Sequence, residues 1–83
     1  MKRYIRATYK SELFPKHIYE IKFQGENHKS GYGFLKKILP NCFVFDMSFD
    51  NGDNISTYML YSEDFAVLND LGEYSSLTSY FAD

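Results

Sequence analysis

Several things are scarce in this chain of 83 residues. It has one cysteine, Cys42, so it cannot close an internal disulfide, and it is expected in a reducing, cytoplasmic setting. It has no tryptophan and two prolines, Pro15 and Pro40. No apolar run approaches the ~18 residues that a membrane-spanning helix needs, which argues against a membrane partner. The basic opening, Met1-Lys2-Arg3-Tyr4-Ile5-Arg6, is not followed by an apolar core, so no secretion signal is expected. Lys and Arg are missing altogether after residue 37. The length allows one domain, residues 1–83, and a modest core.

Aromatic residues are plentiful. Eight Tyr and eight Phe make 19% of the chain, a composition that argues against disorder. Charge is unevenly placed. Residues 1–37 carry all nine basic residues and three acidic ones, a net +6, whereas residues 38–83 carry eight acidic residues and no Lys or Arg, a net −8. Asymmetry of this kind points to a charged partner if the halves segregate, and to mutual neutralisation if they interleave.

The hydropathy pattern places the elements. Residues 4–9 and 17–23 alternate as half-buried strands, and 24–27 reads as a turn. Gly31–Leu39 is ambiguous: Leu35, Ile38 and Leu39 fit a helical face, but two glycines favour a strand or loop. Residues 42–49 alternate cleanly and meet Asn51-Gly52, the preferred two-residue hairpin turn. Residues 54–61 return as the partner strand, which sets Met47 opposite Ser56, Phe45 opposite Tyr58 and Phe43 opposite Leu60. That register puts Phe43, Phe45, Met47, Tyr58 and Leu60 in the core. Ser62-Glu63-Asp64 reads as a helix start, with Phe65, Leu68 and Leu71 as its buried stripe and Gly72 as its stop, predicting a helix over 63–71. Residues 73–83 are either a second short helix or an edge strand. The expected fold is α+β, with a mostly antiparallel sheet of about four strands.

No set of residues points to catalysis. Cys42 sits between apolar residues and reads as a packed side chain, while His17 and His28 read as exposed. Asp50-Asn51-Gly52-Asp53 fails as a calcium loop because position twelve is Tyr61. Gly31-Tyr32-Gly33 lacks the further glycine and lysine of phosphate-binding loops. The chain therefore reads as non-enzymatic, with no metal and no cofactor.

Two surfaces are candidates for a partner. The first is acidic and consists of Asp50, Asp53, Glu63 and Asp64, with Asp70 and Glu73 behind. It would enter a basic groove of a protein, taking the place of nucleic-acid phosphates. The second rests on a resemblance. Lys29-Ser30-Gly31-Tyr32-Gly33-Phe34-Leu35 resembles the RNA-binding strand motif of cold-shock and RRM domains, and Phe43-Val44-Phe45 resembles the second aromatic strand of a cold-shock domain, with Ser30 and Asp46 departing from the pattern. The resemblance implies that Tyr32, Phe34, Phe43 and Phe45 stack single-stranded bases.

The opening six residues, the small size and the AT-rich-genome composition resemble those of short orphan proteins of phages and mobile elements in low-GC Gram-positive bacteria. That group includes anti-CRISPR proteins. The resemblance implies an inhibitor or modulator of a host protein, such as a nuclease, and carries over no site residue. The surplus of aromatics leaves a homodimer open, through an edge strand at 4–9 or at the C-terminus.

Overall fold

A computed structural model describes residues 13–23 and 29–82. The expected strand at 4–9, the turn at 24–27 and His28 lie outside these residues. The described chain runs β1 (His17–Phe23), β2 (Ser30–Ile38), β3 (Phe43–Ser48), β4 (Ser56–Leu60), a 3-10 turn at Ser62–Asp64, β5 (Phe65–Glu73) and α1 (Leu77–Ala82). The strands form one sheet in the order β4-β3-β2-β1-β5, and every neighbouring pair is antiparallel. The α+β class holds in outline, but with five strands rather than four. The helix is the short C-terminal one, since 63–71 is not helical.

The hairpin matches its sequence reading. Phe43 faces Leu60, Phe45 faces Tyr58 and Met47 faces Ser56. Asn51 (φ 59°) and Gly52 (φ 93°) both take the left-handed conformation that the turn demands.

Bulges mark two other segments: β2, which the sequence left open between a helix and a strand or loop, and β5, which it read as a helix. In β2, the pairing with β3 slips between Leu35 and Lys37, so Lys36 is an extra residue. The bulge puts Leu35 and Ile38 against the same core although they are three residues apart, the spacing that resembled a helical face. In β5, the pairing with β1 slips twice, making Leu68 and Leu71 the extra residues. The three-residue spacing of Phe65, Leu68 and Leu71 that imitated a helix over 63–71 therefore marks no shared face: Phe65 packs with Val67 in one buried cluster, and Leu71 borders another on the opposite side of the sheet. The helix start itself exists: the Asp64 carboxylate accepts the Tyr61 N–H at 2.9 Å, and Asp64 N–H donates to the Tyr61 carbonyl at 2.8 Å. It ends after one turn because Phe65–Glu73 supplies the second partner of β1.

The sheet is strongly curled. Four residues join Leu60 of one edge strand to Phe65 of the other, and three of them form the 3-10 turn. In a flat sheet those edges would stand about 19 Å apart, more than such a link can reach. β3 and β5 would be about 14 Å apart when flat, yet the Phe65 ring lies 5.7 Å from that of Phe43 and 5.4 Å from that of Phe45. The concave face thus closes on itself around Leu13, Tyr19, Ile21, Leu35, Phe43, Phe45, Met47, Leu60, Phe65 and Val67. The Tyr19 hydroxyl, fully buried there, accepts the Phe14 N–H at 2.8 Å.

On the convex face α1 covers a second cluster of Ile18, Phe34 and Leu77, bordered by Tyr32, Leu71, Tyr74, Tyr80 and Phe81. Reciprocal bonds between Ser76 and Ser79 start the helix: the Ser76 hydroxyl accepts the Ser79 N–H at 3.0 Å and the Ser79 hydroxyl accepts the Ser76 N–H at 3.2 Å.

Close packing extends to the backbone. A Cβ at Gly31 would lie 2.6 Å from the Ser48 carbonyl oxygen and 2.7 Å from the Phe49 ring. The carbonyl belongs to the neighbouring strand and cannot rotate away. Gly31→Ala should therefore cost about 1–3 kcal/mol and lower Tm by about 4 °C or more, read by thermal melting under circular dichroism. An unchanged Tm would show that β2 and β3 can separate without loss.

Candidate interaction surface

The aromatic platform is divided by the sheet. Phe43 (1% exposed) and Phe45 (0%) point into the closed concave core and cannot stack bases. Phe34 (8%) is packed on the convex side in the cluster capped by α1. Tyr32 lies on that side too, half-buried, with its ring 5.6 Å from both Tyr80 and Phe81. The four rings implied by the cold-shock resemblance do not share a surface. Their alternation is that of a strand pair with two buried faces.

The six carboxylates are also dispersed. Asp50 and Asp53 stand at the hairpin tip, and Glu63 and Asp64 stand beyond the other end of β4. Five residues of strand, about 17 Å, separate the two groups. Asp70 and Glu73 lie on β5, beside the start of β1.

Three of the six are engaged in holding the fold. Asp50 accepts the Asn54 side-chain amide at 2.7 Å, the Asn54 N–H at 2.9 Å and the Ser48 hydroxyl at 2.9 Å. The Ser48 oxygen in turn accepts the Gly52 N–H at 2.8 Å. Asp64 caps the 3-10 turn. Asp70 accepts the Gly72 N–H at 3.0 Å and lies 2.9 Å from His17 Nδ1. Of the others, Asp53 and Glu73 have no side-chain partner among the described residues, and Glu63 has a long contact of 3.4 Å with the Ser62 hydroxyl.

The charged halves of the sequence meet where strands pair. Lys36 lies 3.8 Å from Asp46 across β2 and β3, and His17 reaches Asp70 across β1 and β5. The acidic half is not one continuous face.

What sequence reading missed lies on β4. Tyr58 and Leu60 point into the core, so alternate positions point out. Ile55 (38% exposed), Met59 (60%) and Tyr61 (51%) fall at these positions, separated by Thr57. Thr57 donates to Asp46 at 2.8 Å, and Met59 faces Val44 of β3. Asp53, in the hairpin turn, and Glu63, in the 3-10 turn, flank the stripe along the chain. The result is an exposed apolar stripe between two available carboxylates. The signal was present in the sequence, as apolar residues on the face of a strand whose other face already supplied the core.

Among the described residues, no group of three or more His, Cys, Asp and Glu side chains is placed to hold a metal. Cys42 is buried. No described helix is long and apolar enough to cross a membrane. The chain matches no protein-family model, no curated protein and no solved structure.

The Asp50 bonds carry a pH signature. Bonding to Asn54 above all, through side chain and backbone, holds the Asp50 carboxyl below its ordinary value of 3.8. A carboxylate depressed on folding contributes stability above its unfolded pKa and loses it as pH falls through the folded value. Asp50→Asn should therefore lower Tm at pH 7, and the gap between the variant and the parent should close as the medium is acidified below that ordinary value. A gap of constant size from pH 7 to pH 2 would remove the charge of Asp50 from the stability of the hairpin.

Proposed function

We propose that this protein is a non-enzymatic binding domain that docks on a basic surface of a partner protein. The observation that carries the reading is the β4 stripe: Ile55, Met59 and Tyr61 stand exposed between Asp53 and Glu63. Met and Tyr are favoured in the centres of protein interfaces, and charges at the rim guide encounter and select partners. The proposed partner is a protein with a cationic groove, as in enzymes that bind nucleic acid, and its occupation would inhibit or modulate that protein. Asp53 and Glu63 are the carboxylates that meet the groove, whereas Asp50 and Asp64 hold the turns that present them.

This division fixes the test. Reversing Asp50 would break the hairpin, so the informative variant is Asp53→Lys with Glu63→Lys. The partner is the protein retained by the immobilised parent chain from a nuclease-treated lysate of cells that carry its gene. The double variant should keep its Tm within a few degrees and bind that protein at least about tenfold more weakly, a difference that shrinks as salt is raised. Undiminished binding by a folded double variant would overturn the reading. Retention of nucleic acid alone, seen when the nuclease is left out, would favour single-strand binding instead.

A further inference from the structure

The two edges of the sheet are built differently. The β5 edge is interrupted by two bulges and carries Asp70, Glu73 and Gly72, the last with φ 101°. Bulges, charges and irregular backbone are devices that keep another strand from pairing. The β4 edge has none of them. Ser56–Leu60 pairs with β3 in unbroken register and contains no Pro, no Gly and no charged residue. Among the described residues no strand lies on its far side. A regular, uncharged edge beside an exposed apolar stripe is a template for strand addition.

Charge decides what can add. If a second copy paired β4 with β4 antiparallel about Tyr58, Asp53 of each chain would come toward Glu63 of the other, just beyond both ends of the ladder, because both lie in the turns that flank Ser56–Leu60. Like charges placed opposite one another disfavour that pairing. The same carboxylates favour a strand with cationic ends.

We propose that the β4 edge accepts an extended segment of the partner protein as a sixth strand, with Lys or Arg near both ends and apolar side chains at alternate positions between them. The inference rests on the docking proposed for the acidic rim and gives it a mode. Main-chain bonds to the outer edge of Ser56–Leu60 hold the segment. Ile55, Met59 and Tyr61 receive its apolar side chains, and Asp53 and Glu63 fix its ends and exclude acidic competitors.

The test uses the full chain and two synthetic heptapeptides, Lys-Thr-Val-Thr-Val-Thr-Lys and its counterpart with Glu at both ends, each acetylated and amidated. Amide hydrogen exchange is followed by NMR. Outward-facing amides within Ser56–Leu60 should exchange fast in the free protein and at least about tenfold more slowly with saturating basic peptide, and the acidic peptide should leave them unchanged. Met59→Lys places a charge on the edge at a side chain that is 60% exposed, so Tm should hold while the protection is lost. Outward-facing amides of β4 already protected before peptide is added, or a basic peptide that protects residues elsewhere or none, would overturn the inference. The two readings fail separately. Partner capture that is lost on Asp53→Lys with Glu63→Lys but indifferent to Met59→Lys would sink strand addition and leave docking through the acidic rim. Capture indifferent to the charge reversal would sink docking itself.

Discussion

The shortness of the link between β4 and β5 is the constraint on which the rest of the structure depends. Leu60 ends one edge of the sheet, Phe65 begins the other, and a single 3-10 turn joins them. The sheet must curl to bring its edges within reach of that turn. Curling drops the Phe65 ring onto Phe43 and Phe45, whose strand is three places away in the ladder. A chain this small has little core to draw on. Closing the concave face buries ten side chains in one cluster, with no layer of helices on that face among the described residues. The bulges in β2 and β5 belong to the same solution, because an extra residue bends and twists a strand where a curled sheet needs it.

With the concave face closed, the convex face decides what the molecule offers to solvent. The short α1 covers the part formed by β1, β2 and the end of β5, where Ile18, Phe34 and Leu71 would otherwise be wet. Its Phe81 packs within about van der Waals reach of Gly52, so the helix also braces the hairpin tip. Further along the sheet, the convex surface of β3 and β4 has Val44 half-buried and Met59 exposed, with Asp46 bridged to Thr57 and Lys36. Apolar side chains survive there beside satisfied polar ones.

Legibility in the sequence depended on the period of each segment. The hairpin could be read to the residue because unbroken alternation over 42–49 and 54–61 meets a turn whose φ requirements Asn51 and Gly52 satisfy. β2 stayed open, since its bulge converts a two-residue period into the three-residue spacing of a helix, and β5 was misread, since Phe65 and the two extra residues, Leu68 and Leu71, stand at three-residue spacing without forming one face. The helix start at Ser62 was real and misleading together: local bonding at Asp64 favours a turn, but the unfilled edge of β1 draws Phe65–Glu73 into the sheet. The aromatic match at 29–49 failed for a different reason. Alternation shows that Tyr32 and Phe34 share a face, and likewise Phe43 and Phe45, but it does not say that the two faces lie on opposite sides of the sheet, nor that both are buried.

The acidic residues show what a count of charges leaves out. Asp50, Asp64 and Asp70 each have a backbone donor two to four residues away, at Asn54, Tyr61 and Gly72. Short-range partners of this kind are visible in sequence, since Asp beside Asn or Gly in a turn tends to bond its own backbone. A carboxylate so engaged is already desolvated on one side and fixed in direction, and pulling it toward a ligand would open the turn it holds. Asp53, Glu63 and Glu73 have no such backbone donor among the described residues. Two of those three flank β4, the edge without bulges or charges, and the third is the last residue of β5, the edge with both. Under the docking proposed above, the net −8 of residues 38–83 thus reduces to the pair that brackets one strand. The spacing of that pair is set by the length of β4, and so ultimately by how far the sheet must run before the turn at Ser62–Asp64 carries the chain across to close the core.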